Sequence, residues 1–203
     1  MITIIDYGMG NLRSVSKAFE KQGFEVLVTG DSEKISGASG LVLPGVGHFG
    51  ACIRNLQQLE LLDPIGYHIK SGKPFLGICL GLQVLFEESE ESPGYPGLGI
   101  IKGKVVRFPR FRALKVPHMG WNQIRFSGQP EVLKEVPEGS WFYFVHSYYV
   151  EPRQEGLGLV TTEYGVTFTA AVQWDNIFAC QFHPEKSSDI GLKLLKNFGS
   201  LCN

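Results

Sequence analysis

One thiol held between two glycines is the sharpest chemical signal in this chain. Gly77, Cys79 and Gly81 spell G-x-C-x-G inside "GKPFLGICLGLQVLF", where an apolar strand gives way to a helical pattern. That is the frame of a nucleophile elbow, with sulfur in place of the serine oxygen. A strand that bends abruptly into a helix needs small neighbours, and the central side chain then stands above the sheet edge. Its sulfur sits at a helix N-terminus, where free N–H groups favour the thiolate. The amide of Leu80 points towards any oxyanion formed when Cys79 attacks. The competing reading is a buried cysteine with two packing glycines. The placement after "PFL" and before an amphipathic pattern weighs against it.

A thiolate nucleophile needs a proton partner. Of His48, His68, His118, His146 and His183, the last stands out because of "CQFHPEKSS". Pro184 biases His183 towards an extended backbone, in which residues two apart face the same way. Glu185 then lies beside the imidazole and can orient it, completing a nucleophile–base–orienter set. His68, inside a helical pattern, reads as a surface or packing residue. "LPGVGHFG", residues 43–50, ends another apolar run, and Gly45 and Gly47 allow close backbone approach or positive φ. Such a loop either aims N–H groups at a ligand oxygen or simply turns tightly.

The elements that must hold these residues alternate in the first half. "ITIIDY", "FEVLVT", "GLVLPG" and "PFLGI" read as strands. "NLRSVSKAFEKQG" reads as a helix with Leu12, Val15, Ala18 and Phe19 on one face and Gly23 as its stop. Residues 49–72 read as helix broken near Pro64, and "LGLQVLFEES" as a further helix. This alternation predicts an α/β fold with a parallel sheet. In the second half, "IIKGKVVRF", "WNQIRF", "WFYFVHSYYV", "GLGLVTTEY", "VTFTAAVQW" and "IFACQF" are closely spaced strand patterns that predict an antiparallel extension. "SSDIGLKLLKNFGSLC" closes the chain as a helix, with Ser187 or Ser188 available as N-cap.

Composition narrows the class. At 203 residues, 43% of them hydrophobic, one domain over 1–203 can bury a core without staples. A net charge of -1 gives no reason to expect nucleic acid or an acidic membrane as partner. The opening "MITIIDYGMGN" lacks a basic n-region, and no apolar run reaches the roughly 20 residues that span a bilayer. Cys52, Cys79, Cys180 and Cys202 show no metal-type spacing, so no metal or other cofactor is expected, and a reducing cytoplasm is the simplest compartment. Cys180 alternates with Phe178 and Phe182 and reads as core, Cys52 as helix packing, and Cys202 as a tail residue.

"PGVGHFG", "GICLGLQVLFEES" and "QFHPEKS", in this order, resemble the class I, triad-type glutamine amidotransferase family over essentially the whole chain. The resemblance implies that family's α/β fold, a mostly parallel central sheet flanked by helices. It implies that Cys79 attacks the side-chain amide of L-glutamine, that His183 protonates the leaving ammonia, and that water then hydrolyses the glutamyl thioester with His183 as base and Glu185 orienting it. Gly45, Val46 and Leu80 would form the oxyanion hole. Gly47, Gln83, Glu91, His146, Ser147 and Tyr148 would hold glutamine, with "EESEES" leaving several acidic choices besides Glu91.

"DYGMGN", "PHMGWN" and "YFVHSYY" are narrower signals, similar to family members that serve histidine biosynthesis and pass ammonia to a (β/α)8-barrel cyclase in a heterodimer. Asn11, Trp121 and Lys186 match positions that would face that partner, although Trp121 could instead be core. A paralogous subunit feeding amidation of a surface-polysaccharide sugar, a scaffold subunit with a dead site, and a free-standing cysteine hydrolase are the alternatives.

No Asp or Glu occurs between Glu91 and Glu131, while Lys102, Lys104, Arg107, Arg110, Arg112, Lys115 and Arg125 fall there, interleaved with Phe108 and Phe111. Nucleic-acid binding has no motif to support it. A basic rim that steers an acidic partner and solvated, protected strand edges both remain open.

Overall fold

The computed structural model describes residues 1–110, 114–126 and 128–202. In chain order the elements are β1 (Ile2–Ile5), α1 (Leu12–Lys21), β2 (Val26–Thr29), α2 (Ser32–Gly37), β3 (Gly40–Gly45), α3 (Phe49–Gln58), α4 (Leu62–Lys70), β4 (Phe75–Cys79) and α5 (Leu80–Gln83). They continue with β5 (Glu88–Ser89), β6 (Gly103–Arg107), β7 (His118–Gln123), β8 (Arg125–Phe126), β9 (Trp141–His146), β10 (Tyr148–Pro152), β11 (Gly158–Glu163), β12 (Thr167–Trp174), β13 (Ile177–Cys180) and α6 (Ser188–Leu201).

The large sheet runs β2-β1-β3-β4-β13-β12-β10-β6-β5, with β11 on β12 and β8 on β11. From β2 to β13 the pairing is parallel, and from β13 through β12 and β10 to β6 it is antiparallel. The fold is thus α/β with a parallel centre and an antiparallel extension, as the strand spacing predicts. β13 is the hinge between the two: Cys180 pairs in parallel with Ile78 and antiparallel with Ala171. Strand β9 leaves the large sheet and forms a separate antiparallel pair with β7.

The central strands are apolar throughout because both faces are covered. Alternate residues feed two cores: Ile4, Val42, Ile78 and Phe178 face α1 and α6, while Ile5, Leu43, Phe75 and Ala179 face α3 and α4. The α1 stripe of Val15, Ala18 and Phe19 is buried, and Gly23 ends that turn with φ 86°.

Several expectations are corrected. The break in the 49–70 helix falls at 59–61, where Glu60 has φ 56°, not at Pro64. Pro64 sits in the first turn of α4, where a missing N–H costs nothing. "LGLQVLFEES" is helical for only four residues, because Leu80, Leu82, Val84, Leu85 and Phe86 are all buried and no solvent face exists. Beyond Gln83 the chain bonds instead to residues 98–101, with the amides of Leu98 and Ile100 reaching Val84 and Leu85. "WFYFVHSYYV" is two strands in different sheets, divided at Ser147. Ser187 occupies the N-cap of α6, but its hydroxyl makes no capping bond there. Cys202 is not a loose tail: it is buried, with its sulfur filling the space over Gly40 that a Cβ would need. The short α2, capped by Asp31 through the amides of Glu33 and Lys34, has no counterpart in the pattern reading. No helix among the described residues is long and apolar enough to cross a membrane.

Candidate active site

Strands β3 and β4 end side by side, with Gly45 opposite Cys79. Cys79 adopts φ 56° and ψ -102°, a conformation that costs an L-residue of order 1–3 kcal/mol and marks a backbone forced by its surroundings. The glycines supply the force. A Cβ on Gly81 would strike the carbonyl of Leu43, and one on Gly77 would lie 2.7 Å from the carbonyl oxygen of Gly81. Only without those side chains can β4 fold back into α5 against β3. Gly45 is held the same way, since a Cβ there would come within 2.7 Å of both Leu80 Cβ and the Tyr7 hydroxyl. As the first residue of α5, Leu80 has an amide with no intrahelical acceptor. The one-turn length of α5 leaves this local amide, rather than a long helix dipole, as the electrostatic contribution.

His183 and Glu185 meet through Nδ1 and Oε1 at 2.8 Å, with side-chain exposures of 2% and 1%. His183 is extended, at φ -105° and ψ 94°. Glu185 reaches it by a different route from the one expected, because the chain turns at once into a 3-10 helix over Pro184–Lys186 rather than staying extended. The imidazole backbone is pinned by strand β9: His183 N donates to Tyr143 O at 2.9 Å. Ser187 closes the clamp, its Oγ donating to His183 O at 2.6 Å and accepting from Tyr143 N at 3.0 Å. This explains why the hydroxyl is not spent on the helix cap.

Burial alone would lower the pKa of His183, but the neighbouring Cys79 sulfur and the Glu185 carboxylate outweigh it and raise it to about 10. The Nε2 atom nonetheless has no hydrogen bond of ordinary geometry. The sulfur thus neighbours the ring without a hydrogen bond of ordinary geometry to it, and Nε2 is left available to a reacting group.

Cys79 opens into a cavity of about 220 Å³ lined by Val46, Gly47, Leu80, Gln83, Glu91, Val145, His146, Ser147 and Tyr148. Every residue assigned to glutamine binding from the sequence lies on this wall. So do two of the three oxyanion-hole residues, while Gly45 sits just behind it, opposite Cys79. Among the acidic run, Glu91 is the member on the cavity. It is held by the first turn of α3, where Phe49 N donates to its Oε2 at 2.8 Å, and Ser92 beside it takes Gly50 N. Glu87 and Glu90 are engaged elsewhere, with Arg153 and with the Arg107 amide. A larger recess of about 550 Å³ beside residues 87–96 contains neither the thiol nor the imidazole.

Pattern reading missed Val145, Gln181 and Ser187. Gln181 had a signal: it is a polar residue inside the apolar run "IFACQF", and it is fully buried with its Nε2 3.5 Å from Cys79 Sγ.

The outer face of the β7–β9 pair is apolar and solvent-facing. Met119, Trp121 and Trp141 are 63%, 49% and 52% exposed. Trp121 pairs across the strands with Tyr143, their rings 6.2 Å apart, and Lys186 Nζ lies 5.9 Å from the Tyr143 ring. Trp121 is thus a surface residue and not core. Asn11 has a local duty as well, capping α1 through the Ser14 amide at 3.3 Å. Of the basic stretch, Lys104 pairs with Glu151 at 3.7 Å. Phe108 is buried among Tyr149, Phe168 and His146 and so offers no face to a nucleic-acid base. Phe111 and Arg112 lie outside the described residues.

The family model described as glutamine amidotransferase class-I matches residues 3–200. The chain is 54% identical over 202 residues to "Imidazole glycerol phosphate synthase subunit HisH" of Geobacter metallireducens, covering 97% of this chain and 96% of the relative. It is 55% identical over 196 residues to the protein of the same name from Aquifex aeolicus, covering 96% and 94%. Among solved structures it resembles one described as a glutamine amidotransferase, with TM-score 0.74 at 20% identity, covering 100% and 99%. It also resembles PurLQS from Thermotoga maritima, with TM-score 0.72 at 17% identity, covering 97% and 96%.

Proposed function

Because the chain belongs to the class I glutamine amidotransferase family, we propose that its cavity hydrolyses L-glutamine and that the chain is the glutaminase subunit of an imidazole glycerol phosphate synthase. The observation that carries the reading is a strained thiol that opens into a cavity and has a buried imidazole–carboxylate pair beside it, in a chain whose relatives of that name match it end to end. Residues 1–203 act as one amidotransferase unit. Those relatives give no support to the alternative of a subunit for polysaccharide-sugar amidation.

In this reading Cys79 Sγ adds to the side-chain carbonyl of glutamine. The oxyanion is met by the amide of Leu80 and by the Gly45–Val46 backbone. The protonated His183 gives its Nε2 proton to the departing ammonia, which its raised pKa keeps available at neutral pH. Water, deprotonated by the same nitrogen, then releases glutamate from the thioester. Glu185 holds the ring by Nδ1 throughout. Glu91, anchored on α3, is placed to meet the ammonium group of the substrate. Gln83, His146, Ser147 and Tyr148 shape the rest of the wall.

A synthase subunit needs a second subunit to use its ammonia. Here the partner is a (β/α)8-barrel cyclase docking on the apolar outer face of β7 and β9. Trp121 is an aromatic anchor of the kind enriched at interfaces, with Lys186 beside it over the Tyr143 ring, and Asn11, the cap of α1, is the third residue assigned to this partner. Val145, on the same outward register as Trp121 and Tyr143, also lines the cavity, so this face adjoins the site where ammonia forms. A cytoplasmic location accompanies this proposal.

The test is co-purification with candidate barrel cyclases, then synthesis assays fed by glutamine or by free ammonia. Cys79→Ala should abolish glutamine-dependent synthesis and leave ammonia-dependent synthesis intact. Loss of both would refute the division of labour between the two chains.

A further inference from the structure

Gln181 lies two residues before His183, is fully buried, and belongs to neither the thiol–imidazole–carboxylate set nor the glutamine-contacting wall. Its side-chain Nε2 is 3.5 Å from Cys79 Sγ, and its Oε1 accepts from Gln83 Nε2 at 3.0 Å. We propose that Gln181 is a dedicated N–H donor to the nucleophilic sulfur, oriented by Gln83, whose own amide is fixed by the Tyr148 carbonyl. The inference rests on Cys79 being the nucleophile.

The orientation of each amide and ring follows from what its neighbours can accept. Tyr148 O is a carbonyl and can only accept. It lies 2.8 Å from His146 Nδ1 and 3.1 Å from Gln83 Nε2, so both of those nitrogens carry hydrogen towards it. The second hydrogen of Gln83 Nε2 goes to Gln181 Oε1, which leaves the Gln181 amide nitrogen facing the sulfur. Turning Gln181 over would set two amide nitrogens against each other and point an oxygen at a thiolate. On the other side, His146 Nε2 must accept, so His118 Nδ1 donates to it at 3.0 Å. His118 Nε2 then accepts from Asn122 Nδ2 at 3.3 Å, and the other hydrogen of that amide goes to Glu163 O at 2.8 Å. The run Asn122–His118–His146–Tyr148 O–Gln83–Gln181–Cys79 therefore has one consistent set of proton positions. Buried polar groups held in such a network keep a single geometry, because any reversal leaves a donor or acceptor unpaired.

Chemically, the donor is of most use when the sulfur is negative, which is before attack and again when the thioester is cleaved. A neutral amide stabilises that charge without competing for the proton that His183 must deliver. A lysine there would pair with Glu185 or the thiolate, and a carboxylate would repel the sulfur. The two histidines of the run stay uncharged, because burial holds both well below the usual imidazole range.

The test uses Gln181→Met, close in shape but without a donor, and Gln181→Glu, which keeps the acceptor for Gln83 but puts oxygen towards the sulfur. Cys79→Ala serves as reference. Iodoacetamide labelling of Cys79 is followed by peptide mass between pH 5.5 and 9, and glutamine turnover is measured in the two-subunit enzyme. A hydrogen bond to a charged group has a strength that converts to a factor of about ten to a hundred. The expected result for Gln181→Met is labelling about tenfold slower at pH 7, a labelling profile displaced to higher pH, and kcat lowered about 10–100-fold. KM for glutamine stays within about threefold and ammonia-driven synthesis is unchanged. Gln181→Glu should slow labelling at least as much, and it decides the matter if Gln181→Met does not fold. If both variants label at the parental rate with the parental pH profile, Gln181 is a packing residue and the inference falls. If instead Cys79→Ala still hydrolyses glutamine, it is the assignment of the nucleophile that fails.

Discussion

The two sides of the cavity are built by different means. The thiol side is fixed by backbone: a left-handed Cys79, Gly77 and Gly81 without Cβ atoms, and the β3–β4 register that seats Gly45 opposite the sulfur. The imidazole side is fixed by hydrogen bonds: Glu185 on Nδ1, and Ser187 tying His183 to strand β9. A site held by backbone cannot be altered without disturbing the sheet under it. A site held by side-chain hydrogen bonds can lose its chemistry while its fold survives. Substitutions on the thiol side should therefore lower stability and activity together, and those on the imidazole side should separate them.

Glu185→Gln is the largest expected separation. The amide keeps the size of the carboxylate but removes the charge that favours the imidazolium, and it can present N–H to a nitrogen that must itself donate. Glutamine turnover should fall about 10²–10⁴-fold, the range of a lost acid–base function, while the melting temperature stays near the parent's. A large fall in melting temperature would show that this side, too, is structural.

Gly81→Ala is the converse. The new methyl meets the carbonyl of Leu43, which is backbone in the middle of the sheet and cannot turn aside. Overpacking of this kind costs about 1–3 kcal/mol. The urea midpoint should fall by a corresponding amount, with glutaminase activity lost in the same variant. A stable but inactive Gly81→Ala would mean that the elbow geometry can be lost without cost to the sheet.

The same contrast decides what could be read from the sequence. Features set by backbone leave a spacing of glycines, so the elbow at 77–81 and the "PGVG" turn were legible as written. The parallel centre was legible because strands covered on both faces are apolar without interruption. His183 and Glu185 were legible as a pair, although the 3-10 turn that joins them was not, because a proline fixes the residue before it and says little about the one after. Ser187 and Gln181 act through partners 44 and 102 residues away; a polar residue inside an apolar run marks Gln181 as buried, but nothing local names the partner of either. The helix expected after Cys79 failed for a related reason. Its apolar residues face core on all sides, which periodicity alone cannot tell from one amphipathic stripe.

A third region sharpens the contrast with the smallest effect. His118 and His146 are buried against each other and stay neutral, with burial as the leading cause, at pKa about 4 and about 3 respectively. Their folded pKa lies below the ordinary value near 6.5, so acid favours the unfolded chain, which binds protons that the native state refuses. Their contribution is present above about pH 6.5 and is lost as pH falls towards those folded values. His118→Phe removes one such group from a site stacked between Phe144 and Tyr164. At pH 7.5 the variant should be the less stable, having lost the hydrogen bonds to His146 and Asn122. Between pH 7.5 and pH 5.5 the gap to the parent should narrow by about 1.4 kcal/mol, one pKa unit's worth, as read from urea unfolding at the two pH values. A gap that stays constant would mean that His118 takes up a proton inside the folded chain. The direction of the Asn122–His118–His146 hydrogen bonds would then be set by charge, while Gln83 and Gln181 would keep theirs, because Tyr148 O still only accepts.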